Sequence, residues 1–246
     1  MSLALLRQQL AAVVAGTPSS TPGLPTGVTR LDAILPGGGV PRGRLTELLA
    51  PAGLGKTTLA RSLVAVTIRG GGGVAWIDAT RTLDPRDWAT ESAAYEALWV
   101  VRPGEATRGP WCADLLLRSG AFALVVLDGA PVLPRTVAVR LTQLARESDA
   151  ALLLLGEGTR ASEVGGALRL RLEGKRSPGA GTPRVIATLE KGGPYQHVEL
   201  EVGRGHGITR RLCTHPEIPD RRGVGGSRRA LRGRRFAQPD YPAQRN

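Results

Sequence analysis

Lysine is almost absent from a strongly basic chain. Of 33 cationic residues in 246, only Lys56, Lys175 and Lys191 are lysines, and the rest are arginines. Acids are too few to balance them, with 21 Asp and Glu leaving a formal charge of +12. Cysteine is scarce too. Cys112 and Cys213 form neither a metal-binding spacing nor a disulfide framework. No apolar run approaches the roughly 18 residues of a membrane-spanning helix. Gln8 and Gln9 interrupt the apolar N-terminal stretch where a secretory signal needs continuity. These absences argue against a membrane protein, a disulfide-stapled secreted domain and a zinc module. They leave a cytoplasmic globular protein as the expectation.

What is present completes the picture. Hydrophobic residues make up 41%, enough for one sizeable core at this length. The arginine excess points to a phosphate-rich partner, with nucleic acid first. It is unevenly placed. Residues 204–246 hold 11 arginines and three acids. Within them lies a Gly/Arg-rich stretch too poor in apolar residues to offset its ordering entropy. Residues 215–246 are therefore predicted to be a basic disordered tail. Arg228, Arg229, Arg232, Arg234 and Arg235 are its DNA-binding candidates, because guanidinium grips phosphate bidentately and stacks on bases. The alternative is a merely solubilising tail. At the other end, Leu3, Leu5, Leu6, Leu10, Val13 and Val14 suit an amphipathic helix over 1–15. A Gly/Pro/Ser/Thr-rich linker follows at 16–25, and the core domain is read as 26–214.

Within that core, short apolar runs alternate with helical stretches. Strands are expected at 45–49, 74–78, 98–101, 122–127 and 151–155. Helices are expected at 56–68, 88–98, 113–119 and 137–147. Near-continuous apolar strands belong to a parallel sheet covered on both faces. Beyond Ala167 only strand-like segments remain, at 167–173, 184–190, 196–202 and 207–213, separated by hairpin-like turns. The fold class is thus α/β, with a mostly parallel central sheet flanked by helices and extended by a C-terminal β-rich part. Trp76 and Trp99 fall in strand-like runs and are expected in the core.

The most specific signal is Ala50-Pro51-Ala52-Gly53-Leu54-Gly55-Lys56-Thr57-Thr58, between a strand and a helix. Such a loop turns backbone N–H groups at a helix N-terminus toward phosphates. Lys56 would reach the terminal phosphate oxygens and Thr57 would hold Mg. Leu124-Val125-Val126-Leu127-Asp128, an apolar strand ending on an acid, supplies the usual second Mg partner in Asp128. A glycine-rich loop without ligand is the bland alternative, so ATP and Mg stay open as cofactors.

At these residues the chain resembles RecA. The run Thr26-Gly27 through Leu31-Asp32, Gly37-Gly38-Gly39, Pro41, Gly43-Arg44 and Glu47 is similar to the RecA lead-in to its phosphate loop. Ala75-Trp76-Ile77-Asp78-Ala79 and Leu83-Asp84-Pro85 are similar to the segment that carries RecA's catalytic and adenine-contacting residues. The resemblance makes Asp84 an adenine contact. It also exposes departures. Thr80 stands where RecA has the glutamate that activates water, and threonine cannot accept a proton usefully near neutral pH. Asp87 replaces the stacking tyrosine, and Glu157 falls where RecA places the glutamine that senses the terminal phosphate. Both DNA loops are short, with 131–135 left of the first, which makes Arg135 a candidate contact, and about 156–165 left of the second. No catalytic residue is assigned.

An eroded ATPase on a RecA scaffold resembles the ImuA family of mutagenesis-cassette accessory proteins. That resemblance implies SOS-induced error-prone translesion synthesis. It also implies DNA, an ImuB-like Y-family polymerase relative, an error-prone DnaE-type polymerase and RecA itself as partners. The alternatives are an active DNA-stimulated ATPase, with Asp78 or Glu157 as base, and a cell-division inhibitor resembling SulA. Arg169, Arg171, Lys175 and Arg176 complete the DNA-binding candidates. They form either a basic ridge or the charged face of an edge strand.

Overall fold

The computed structural model describes residues 22–84, 97–129, 131–157, 166–175 and 184–201. Eight strands form one sheet in the order β3-β2-β4-β5-β1-β6-β7-β8. They are β1 Leu45–Ala50, β2 Val74–Asp78, β3 Leu98–Val101, β4 Leu124–Asp128, β5 Ala151–Glu157, β6 Leu168–Lys175, β7 Arg184–Lys191 and β8 Gln196–Glu201. The pairs from β3 through β1 to β6 are parallel, and β6–β7 and β7–β8 are antiparallel. The helices are α1 Thr29–Asp32, α2 Lys56–Arg69, α3 Gly109–Arg118 and α4 Arg135–Glu147.

The apolar runs of β1, β2, β4 and β5 are buried almost throughout, as two covered faces require. Alternate residues feed two cores. Leu48, Ala50, Trp76 and Val126 pack with Leu59 and Leu63 of α2. Leu45, Ile77 and Val125 pack with Leu117 of α3 and Leu141 of α4. Leu24 forms a bridge with Val40 and joins the first core, so the end of the segment read as linker is packed against the domain.

Two expectations are corrected. Trp99 is not in the core. It lies on the edge strand β3, 61% exposed, with its ring edge-on to Phe122 at 5.7 Å. Strand β6 is not an edge, because β1 and β7 flank it. The expected helices at 1–15 and 88–98 and the strand at 207–213 lie wholly or mostly outside the described residues. Among the described residues, no helix is long and apolar enough to cross a membrane.

Candidate functional site

Strand β1 sits inside the sheet, between β5 and β6, and the chain leaves its C-terminal end through residues 51–55 into α2. Parallel strands converge there with their carboxyl ends, where α/β sheets open a crevice. The crevice here is a cleft of about 590 Å³. Gly53 and Gly55 have φ of +80° and +82°, a left-handed backbone that a side chain would strain. A Cβ at Gly53 would meet nothing within 4 Å, so the loop keeps its backbone open on that side. The first turn of α2 begins at Lys56 with N–H groups unpaired inside the helix, and Thr57 and Thr58 also line the cleft.

The Lys56 ammonium donates to the Gly156 carbonyl at 3.1 Å, near the end of β5. Glu157 follows, in register with Ala50 and lining the same cleft. From β4, Asp128 closes the floor at 8% exposure. Burial raises its carboxyl to about 6. Lys56 opposes the rise, the carboxylates of Asp78 and Glu157 add to it, and the Gly129 N–H opposes it. Thr57, Asp128 and Lys56 thus share one cleft, and this donor set fits a phosphate chain with a hard divalent cation.

Thr80 and Thr82 line the opposite wall, their hydroxyls 2.9 Å apart. Asp78 is buried and already engaged. It accepts from the Thr82 N–H at 3.0 Å, the Leu83 N–H at 3.2 Å and the Arg102 guanidinium at 2.9 Å. Its carboxylate therefore holds the turn after β2 and is not poised toward the cleft. Gly129, at φ +76°, lets that turn close over β4, because a Cβ there would lie 2.3 Å from the Thr80 methyl. Asp84 is half-buried at the end of the turn and does not line the cleft.

The basic candidates separate. Arg169 points away from Leu168 and Leu170 and meets Glu47, a buried acid inside β1, with its Nε and Nη2 each 2.9 Å from Oε2. The same oxygen accepts the Gly166 N–H at 3.2 Å. Arg171 pairs with Glu190, and Lys175 and Arg184 share Glu199 at 2.9 and 3.0 Å. Arg135 is exposed at the first residue of α4, after the short connection 129–134. Arg176, Arg228, Arg229, Arg232, Arg234 and Arg235 lie outside the described residues. Sequence reasoning missed Glu47 and Arg102. The lone acid among the leucines of β1 was a visible signal for the first, and nothing local marked the second.

A glycine-rich loop leaving a central parallel strand, with the acid-ended β4 one strand beyond β5, defines a P-loop domain of RecA type. Residues 12–141 match the family model described as RecA N-terminal domain, and the chain belongs to that family. Among curated relatives, Protein RecA of Streptomyces rimosus is 41% identical over 113 residues, 46% of this chain and 30% of that protein. Protein RecA of Nocardioides sp. is 42% identical over 113 residues, 46% of this chain and 32% of that protein. The matched region therefore spans under a third of the length of these relatives.

Proposed function

We propose that the chain is a RecA-family accessory factor of damage-induced, error-prone DNA synthesis, which binds nucleotide and DNA without turning nucleotide over efficiently. The observation that carries this reading is Thr80. It lines the cleft of the phosphate loop, and the resemblance puts it where the family has its water-activating glutamate, while the nearby Asp78 is held by two backbone N–H groups and Arg102. In this reading Lys56 and the loop N–H groups hold nucleotide phosphates, Thr57 and Asp128 hold Mg, and Asp84, outside the phosphate cleft, contacts the base. Bound Mg would neutralise phosphate charge, and the protein's part is to fix the phosphates and shield them. DNA contacts fall to Arg135 and the arginine-rich C-terminal segment. An ImuB-like protein, a DnaE-type polymerase and RecA are the proposed partners. Deleting the gene in the source organism should lower ultraviolet-induced mutation frequency, and the wild-type gene should restore it. An unchanged frequency would overturn the reading.

A second reading, a DNA-stimulated ATPase, draws on the 41% identity to proteins named RecA and on Glu157 as a carboxylate open to the cleft. Phosphate release with single-stranded DNA separates the two.

A further inference from the structure

The charge balance of the cleft bears on which nucleotide it takes, an inference that rests on reading the cleft as a nucleotide site. Among the described residues lining it, Lys56 is the one cation, against two carboxylates, Asp128 and Glu157. Asp128 stands where a cation would be shared. Glu157 has no such duty, and its position is specific. It follows Gly156, whose carbonyl holds the Lys56 ammonium at 3.1 Å, and it pairs in register with Ala50, where the loop begins. The acid therefore lines the cleft at the strand end whose Gly156 carbonyl holds the Lys56 ammonium, and in a loop of this kind that lysine meets the outermost phosphate.

A phosphate chain held in this cleft faces the helix N–H groups and glycine backbone of the loop, and also Glu157. Two phosphates can be held by the loop, the lysine and a shared Mg. A third brings further negative charge toward the Glu157 carboxylate, with no second cation in the described lining to compensate. We propose that Glu157 makes this a nucleoside-diphosphate site, in which Mg-diphosphate binds more tightly than Mg-triphosphate. The bound state is then that of a hydrolysed nucleotide, and efficient turnover is not needed to reach it. Triphosphate entry requires that Glu157 be displaced or neutralised.

The test is calorimetric titration of the full chain with ADP and with ATP at saturating Mg, using the wild type, Glu157→Gln and Lys56→Ala. Glu157 is exposed at the end of its strand, so the glutamine variant keeps the fold. The wild type should bind ADP at least about tenfold more tightly than ATP. Glu157→Gln should bring the two within about twofold, chiefly by tightening ATP, and added salt should shrink the wild-type difference. Equal wild-type affinities, or a preference that Glu157→Gln leaves unchanged, would overturn the proposal and leave the nucleotide site standing. Binding of neither nucleotide by the wild type and the glutamine variant would overturn both.

Discussion

Replacing Arg169 by alanine separates a structural role from a DNA-binding one. The change removes the cation facing Glu47, which is 2% exposed inside β1 and shares its Oε2 with the Gly166 N–H. Removing one partner of a buried pair costs about 3–5 kcal/mol. The Arg169 side chain is 21% exposed, so water can partly reach the vacated space, and the expected loss falls below that range, at about 2–3 kcal/mol. For a domain of this size that corresponds to a fall of roughly 4–12 °C in Tm. Lys175→Ala is the comparison. Its pair with Glu199 is 47% and 34% exposed, and the loss should be far smaller than at Arg169. Adding Glu47→Gln to Arg169→Ala removes the buried carboxylate charge while keeping an acceptor for Gly166, and should recover more than half of the loss. Differential scanning calorimetry reads all four proteins. An Arg169→Ala Tm no lower than that of Lys175→Ala would refute the buried-pair reasoning. A fall in DNA affinity and in salt slope at a temperature where the variant is folded would restore Arg169 to the interface.

Asp128 gives a pH signature in metal-free buffer. Its carboxyl is held at about 6 in the folded chain, above the ordinary carboxylate range, so from about pH 4 to 6 the folded state retains a proton that the unfolded state releases. This contribution to stability is complete below that window, falls as pH rises through it, and stays lost above. Asp128→Asn should therefore raise Tm at pH 8 by roughly the equivalent of 2–3 kcal/mol and give little gain at pH 4. A gain independent of pH would contradict the assignment. Gly129→Ala should destabilise strongly, by more than about 2 kcal/mol, because it combines a φ of +76° with a 2.3 Å approach to Thr80. In the Gly129→Ala background, shortening Thr80 to glycine should return part of that loss, which urea denaturation would measure.

Much of the fold was legible because its strands are hydrophobic on both faces. The run 74–78 and the loop into α2 stand where the pattern put them, and β1 and α2 differ from it by one residue each. The antiparallel turn between β7 and β8 followed from Gly192–Pro194. Pattern was less informative where exposure depends on position in the sheet. Val100 and Trp99 read as buried strand, yet β3 closes one edge of the sheet and leaves them 43% and 61% exposed. Period-2 alternation placed Arg169 and Arg171 on one face of β6 correctly. It could not supply what covers that face, since Glu47 and Glu190 come from strands 122 and 19 residues away. The cleft was similarly half readable. Its loop residues are contiguous in the chain, whereas the Asp78–Arg102 link depends on the pairing of β2 with β3.

In the proposed function Thr80 leaves the cleft without a base for efficient nucleotide turnover, and phosphate release tests that directly. The full chain is incubated with Mg-ATP and saturating single-stranded DNA, with Lys56→Ala as control. The expected result is release no faster than the control, with and without DNA. DNA-stimulated release that Lys56→Ala abolishes would contradict the account and identify a working ATPase.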